Sequence, residues 1–379
     1  MRELLVIVIP SLLLAALAEF NSVTTTGMFG EKKYIQKDKI FFTIMAVAMA
    51  VFVGLRTDYN DTTAYTHAYE LLPESSSSLG EIDWSIGENP GFAFVNVCLR
   101  ILGVSSQNFL MLYAMVTVCI YVWFVRKYSD NLWLSMFFFF AMGCYTFTMA
   151  AIKQTVAVAL CLVATDRAIE KKWLSFVVWI LVATTFHPYA LMYLIAPLLM
   201  FNPWTTNTYF MIVIFGVAGV GLQSLLGTIV DVTSMLGEEY TATSFSGDGV
   251  SIFRVAVVWV PIFLSFLARK FIKENDERAW NLIINFTMLN AEIMFIALFG
   301  TANYFARLAN YFLIFQAIAL PKMFKFYTKA GEKVLTISAI IGYLLYFYYA
   351  EGILYGGFDA GFNGISFAEY VHSFIIGGQ

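Results

Sequence analysis

Residues 132–169 read LWLSMFFFFAMGCYTFTMAAIKQTVAVALCLVATDRAI. The first 19 of them, through Ala150, carry no charge. A helix of that length rises about 28 Å, close to the roughly 30 Å of a bilayer's hydrocarbon core. Lys153-Gln154 then interrupts, and a second apolar run continues until Asp166-Arg167 ends it. Two crossings separated by a short polar break are the simplest reading, and it sets the scale for the rest of the chain.

Extended in both directions, the same reading gives twelve spans: 4–20, 40–55, 107–125, 132–150, 153–169, 173–187, 188–201, 208–226, 251–268, 280–299, 305–320 and 334–350. The composition agrees. Of 379 residues 60% are hydrophobic, 17% aromatic and 13% charged, whereas soluble domains carry about 25% charged residues. Long apolar runs exclude a disordered chain, and 23 basic against 26 acidic residues leave no footprint for a nucleic acid. The expected fold is therefore an all-α polytopic membrane protein of about 12 transmembrane helices, one membrane domain over residues 1–379. The first apolar run, Leu4 to Leu17, is expected to be a retained span rather than a signal peptide, because hydrophobic segments continue to the end.

His187-Pro188 splits the stretch 173–201, since proline removes a hydrogen bond and pushes its predecessor out of the helix; two short helices meeting there are expected. Residues 91–103 are too few to cross and read as a surface or re-entrant helix. Cys98, Cys119, Cys144 and Cys161 sit in apolar segments without CxxC spacing or histidine partners, so they read as filler and no metal site is expected.

Lysine and arginine collect on the cytoplasmic side. Lys32, Lys33, Lys37 and Lys39 form one cluster; Arg126 and Lys127, Arg167 with Lys171 and Lys172, Arg269 to Arg278, and Lys322 to Lys333 form four more, all on one side under this span list. The loop 56–91 is acidic, with one arginine and no lysine, and reads as external; together with the helix after it, it makes an external segment, 56–106. Its aromatics Tyr59, Tyr65, Tyr69 and Trp84 give it something to fold around. The loop 227–250, with Glu238, Glu239 and Asp248, and the tail 351–379 are expected to be external as well.

An ionisable group beside or inside a span costs about 2.5–3.5 kcal/mol on insertion scales, so each exception invites a functional question. Arg56, Lys153 with Gln154, His187 and Arg307 all fall at the external ends of spans, against the positive-inside tendency. Singly, each has a plain explanation: arginine and lysine snorkel to headgroups, and a histidine beside proline satisfies carbonyls freed by the kink. Asp58, Asp61 and Glu88 read singly as solvated loop carboxylates. Together, three cations and a histidine on one membrane face suit a lipid-linked phosphate or pyrophosphate, with histidine positioned to take a proton from an attacking hydroxyl. Carboxylates and aromatics on the adjoining loop suit a sugar. The combination suggests glycosyl transfer from a lipid carrier, with acyl transfer or transport of the same substrate left open.

At these residues the chain resembles the EpsG-like, or Wzy-type, bacterial polysaccharide polymerases. The resemblance lies in Gly54-Leu55-Arg56 with Asn60-Asp61-Thr62-Thr63-Ala64-Tyr65 after it; Glu88-Asn89-Pro90-Gly91-Phe92; Lys153-Gln154; Phe186-His187 with Ala190-Leu191; and Arg307-Leu308 with Tyr311-Phe312. Lysine stands at 153 where the family usually has arginine, which keeps the charge and loses the planar fork. Compressed spacing after Arg56 lets Asp58 or Asp61 be the positional match, with Asp61 favoured by Thr62 and Tyr65 downstream.

The resemblance implies a GT-C-like helical fold and an inverting, metal-independent, cofactor-free glycosyltransferase that joins repeat units on undecaprenyl pyrophosphate at the outer face of the bacterial inner membrane. It implies Arg56 and Arg307, with Lys153 and Gln154, at the leaving pyrophosphate, and His187 as base. Asp61 and Glu88 would bind acceptor or hold the working tautomer of His187. Asp58, Tyr65 and Tyr311 complete the expected substrate contacts, Tyr311 lying one helical turn after Arg307 and so able to share its face. Membrane lipids, a chain-length regulator and a flippase are the implied partners. A lipid-linked oligosaccharide flippase and a membrane O-acyltransferase are the competing readings; both predict polar residues deep in the helices.

Overall fold

The computed structural model describes residues 1–25, 34–36, 38–237, 241, 249–274, 277–300, 302–354 and 357–376. Lys32, Lys33, Lys37, Glu238, Glu239 and Asp248 lie outside the described residues. In chain order the helices are α1 (Arg2–Phe20), α2 (Lys39–Gly54), α3 (Thr62–Glu70), α4 (Pro90–Ile101), α5 (Ser106–Tyr128), α6 (Leu132–Ala141), α7 (Cys144–Ala150), α8 (Ile152–Ile169) and α9 (Trp173–Phe186). A 3-10 segment, Pro188–Leu199, separates these from α10 (Thr206–Val220), α11 (Leu222–Met235), α12 (Ile252–Leu267), α13 (Arg269–Glu274), α14 (Arg278–Ile296), α15 (Ala302–Asn310), α16 (Leu313–Phe324), α17 (Lys329–Phe347) and α18 (Phe367–Ile376). A two-stranded hairpin, β1 (Val23–Thr25) with β2 (Tyr34–Gln36), joins α1 to α2.

Among the described residues four helical segments are long and apolar enough to cross a membrane: Arg2–Phe20, Ser106–Tyr128, Arg278–Ile296 and Lys329–Ile353. The count is six if the bent pairs α6 with α7 and α10 with α11 are each one span. The chain is a polytopic helical membrane protein. Each of the twelve apolar segments has a helical counterpart, but several are shorter or broken. Gly143, at φ +79°, supplies the left-handed residue at which α6 and α7 bend by 51°. The segment 208–226 bends by 102° between α10 and α11, and 305–320 breaks at Tyr311-Phe312. His187 is extended, at φ −159° and ψ 120°, as a residue before proline should be, and the segment from Pro188 onward is 3-10 rather than α-helical.

Two compact units group the contacts: Met1–Glu81, Phe94–Ala159 and Leu344–Gln379 form one, and Ile82–Ala93 with Leu160–Tyr343 form the other. In the first unit α2 packs along α5 and α1, α1 along α6, and α3 on α5. The α2–α5 approach is close enough that a Cβ on Gly54 would stand 2.9 Å from the Met111 Cα. Side chains start these helices: Asp38 accepts from the amides of Ile40 and Phe41, Ser105 from Asn108, and Asn131 from Leu134. The first part of the loop folds around Tyr69, which stacks on Phe109 at 4.4 Å and donates to the Val104 carbonyl. Arg100 of α4 reaches back to the carbonyls of Leu72 and Glu70 and pairs with Glu74. Trp84, expected to help the loop fold, is instead 64% exposed.

In the second unit α14 is central, touching α10, α12, α15, α16 and the 3-10 segment. Its asparagines serve the ends of neighbouring elements. Asn285 donates to the carbonyls of Leu199 and Phe201, and Asn290 to that of Ala309, so the backbone groups left over where these helices stop are satisfied from α14.

Candidate functional site

Arg56 lies two residues beyond the end of α2 and is 1% exposed. Its Nη1 donates to the Val53 carbonyl at 2.6 Å and its Nε to Thr62 Oγ1 at 3.0 Å, while the Thr62 hydroxyl donates to the Tyr59 carbonyl. One guanidinium thus ties the end of α2 to the start of α3. Burial lowers its pKa to about 10, so it stays protonated at neutral pH; Tyr145 and Tyr65 oppose the shift. Among the described residues no carboxylate pairs with it.

The turn between Arg56 and α3 is tight. Tyr59 and Asn60 both have positive φ, at +100° and +48°, and Asp58 Oδ1 accepts from the Tyr59 amide. The amides of Thr57 and Asp58 both donate to the Ala360 carbonyl, which seats the turn against the C-terminal segment. Asp58 is exposed and lines a cavity; Asp61 is half-buried at the N-cap of α3, and Tyr65 is half-buried one turn on. The first unit therefore gathers Arg56, Asp58, Asp61 and Tyr65 within ten residues of chain. Lys153, half-buried, and Gln154, buried, stand in the first turn of α8, also in this unit.

In the second unit His187 caps the end of α9. Its Nδ1 is 2.8 Å from the Tyr311 hydroxyl, and the ring of Tyr189 lies 5.3 Å away. Tyr311 is fully buried and held from its other side, because Tyr193 donates to its carbonyl at 2.5 Å. When Nδ1 carries the proton toward Tyr311, Nε2 presents a lone pair and can accept a proton from a substrate hydroxyl; the Tyr311 contact also fixes the ring plane. Arg307 is exposed, unlike Tyr311. The two do not share a helix face as expected: α15 ends at Asn310, and Tyr311, in the turn before α16, is buried. Glu88 is exposed at the end of the short 3-10 turn Ile86–Glu88.

Two carboxylates escape the sequence reading. Glu292 is buried in α14, and neither of its oxygens has a hydrogen bond among the described residues; the signal that could have found it is that it is the single acid inside the run 280–299. Glu351 is buried where α17 passes into a π-helical turn, Tyr348–Ile353, and its Oε1 accepts from Thr146 at 2.7 Å. It falls one residue past the last span, where a solvated tail is expected. Among the described residues no group of three or more His, Cys, Asp or Glu is arranged to hold a metal ion.

The family model that matches is that of the EpsG family, over residues 39–357, which takes in Arg56, Asp58, Asp61, Tyr65, Glu88, Lys153, Gln154, His187, Glu292, Arg307, Tyr311 and Glu351. No curated protein and no solved structure gives a match.

Proposed function

This chain belongs to the EpsG family, and from that premise we propose that it is a polysaccharide polymerase: a membrane glycosyltransferase acting on lipid-linked oligosaccharide. The growing glycan on undecaprenyl pyrophosphate is the donor, and a new lipid-linked repeat unit is the acceptor. In this reading the twelve apolar segments are membrane crossings of a GT-C-like fold in a bacterial inner membrane. The loop 56–91 and the ends of helices near Arg56, Lys153, His187 and Arg307 face outward.

The observation that supports the chemistry is the His187–Tyr311 contact, which fixes the orientation of an imidazole through Nδ1. The acceptor hydroxyl oxygen attacks C1 of the donor's first sugar from the face opposite the leaving group, so the anomeric configuration inverts. The new C1–O bond forms as the bond from C1 to the pyrophosphate oxygen breaks. His187 Nε2 takes the hydroxyl proton, and undecaprenyl pyrophosphate departs with the electron pair. Arg56, Lys153 and Arg307 are each assigned to negative charge that develops on the leaving pyrophosphate, the role a divalent metal plays in other glycosyl transfers. Asp61, Glu88, Asp58, Tyr65 and Gln154 are assigned to sugar and acceptor contacts. A flippase that delivers repeat units and a regulator of chain length are the partners such a reaction calls for.

Deletion of the gene tests the reading. Lipid carriers bearing single repeat units should accumulate and long polymer should disappear; polymer of normal length in the deletion strain overturns it. His187→Ala, checked for normal membrane insertion, should behave as the deletion does.

A further inference from the structure

A cavity of about 240 Å³ opens within the first unit between the turn after Arg56 and the end of α17. Asp58, Tyr59 and Asn60 line it from one side, Glu351, Phe358 and Asp359 from the other. Three carboxylates face this space, and each has one oxygen committed to the fold. Asp58 Oδ1 accepts from the Tyr59 amide at 2.8 Å, Asp359 Oδ1 from the Gly361 amide at 2.8 Å, and Glu351 Oε1 from the Thr146 hydroxyl at 2.7 Å. The second oxygen of each has no hydrogen bond among the described residues. Glu351 is only 8% exposed, and its carboxyl lines the cavity wall.

We propose that this cavity binds one sugar ring of the lipid-linked glycan, and that the ring it takes is neutral or carries an ammonium group. The inference deepens the polymerase reading and rests on it for the class of ligand. Three outward-directed acceptors want donors, which hydroxyl and ammonium groups supply. The rings of Tyr59 and Phe358, 5.1 Å apart, add apolar surface of the kind on which a sugar's C–H face rests. Burial and the neighbouring Glu351 hold the Tyr59 phenol well above the usual tyrosine range, so it remains a neutral hydroxyl. One cation stands at the wall: the Met1 amino group donates to the Phe358 carbonyl. It offsets part of the negative charge, and the remainder, carried by the exposed Asp58 and Asp359, repels a phosphate or a carboxylate. The carboxylates do not converge as metal ligands do. Pockets for drug-sized ligands run to roughly 300–1,000 Å³, so this volume suits a single ring. Arg56, two residues before Asp58, marks the anionic end of the substrate, and the cavity its sugar end.

The test uses the full chain in detergent or lipid nanodiscs and saturation-transfer NMR with methyl glycosides of glucose, galactose and mannose, each also as its 2-amino and 6-carboxylate counterpart. The neutral and 2-amino forms of at least one sugar should bind, at least tenfold more tightly than the matching 6-carboxylate. The triple variant D58N/E351Q/D359N should bring that preference within twofold, and Leu354→Trp, which fills the cavity from an apolar side, should abolish binding; both are first shown to elute as the unaltered protein does. Failure of every glycoside to bind, equal binding of the 6-carboxylates, or an unchanged pattern in both variants overturns the proposal. The two readings fail separately. If polymer still depends on the gene but no sugar enters, the cavity proposal falls alone; if sugar enters but the deletion strain makes normal polymer, it is the polymerase reading that falls.

Discussion

The Tyr311 hydroxyl meets Nδ1 of His187 at 2.8 Å across 124 residues of chain. Tyr311 is itself held through its carbonyl by Tyr193, so the imidazole is oriented by a residue that is oriented in turn. Tyr311→Phe keeps the ring and removes that hydroxyl. Polymer synthesis should fall about tenfold, against about 10²–10⁴ for His187→Ala, the usual contribution of a general base. A structural loss would not alter the shape of the pH–rate profile, whereas loss of the group on Nδ1 should. An unchanged profile in Tyr311→Phe would show that the hydroxyl only packs.

Arg56→Lys preserves the charge and loses the fork that reaches the Val53 carbonyl and Thr62 at once. One buried acceptor is then left unsatisfied, at about 1–3 kcal/mol. Thermal unfolding in detergent should show the loss, and polymer in cells should shorten or disappear. Thr62→Val should also lower stability, because it leaves the Arg56 Nε without its acceptor and removes one of the two bonds to the Tyr59 carbonyl, which keeps the Thr62 amide.

Glu292 gives the opposite sign. Burying a polar group without a partner is unfavourable by about 1–3 kcal/mol in proteins, so Glu292→Met should raise the unfolding temperature. A lower temperature would mean that the carboxyl is bonded in the membrane. A raised temperature combined with lost polymer would mark Glu292 as held for function at the expense of stability.

Acid should loosen α18. Ser366 donates to Glu369 Oε2 through its hydroxyl and its amide, and these bonds hold the Glu369 carboxyl below its ordinary value of 4.5. A value lower when folded than when unfolded stabilises the native form above the unfolded value, and the contribution is lost as pH falls through the folded one. Hydrogen-exchange protection at 367–371 should therefore drop below about pH 4.5. Ser366→Ala should lower protection at neutral pH and remove the dependence; a pH-independent pattern in the unaltered chain would contradict the assignment.

Apolar runs place the helices well, since length and lack of charge are local properties. The bend at Gly143 and the break at Tyr311-Phe312 are not legible in them. Glycine in an apolar run is compatible with a straight helix, and the Tyr311 break is stabilised by Tyr193 and Asn290, which are remote in sequence. His187 and Tyr311 can each be named from the sequence, but their pairing depends on how α15 ends. Glu351 looks solvated because it comes one residue after a span; Thr146, 205 residues away, is what draws it inward. Trp84 errs the other way, an aromatic that the loop leaves outside.

Arg56 and Arg307 differ in a way that bears on timing. An arginine carries about 2 kcal/mol of rotamer entropy, which a partner must overcome to immobilise it. The contacts to Val53 and Thr62 have already removed that freedom from Arg56, whereas Arg307 is exposed on α15, where water competes for its contacts. The Arg56 charge is thus set in place before any ligand arrives, and at 1% exposure an anion reaches it only where the surrounding side chains open. Arg307, by contrast, samples its rotamers at the pace of a surface side chain, within nanoseconds.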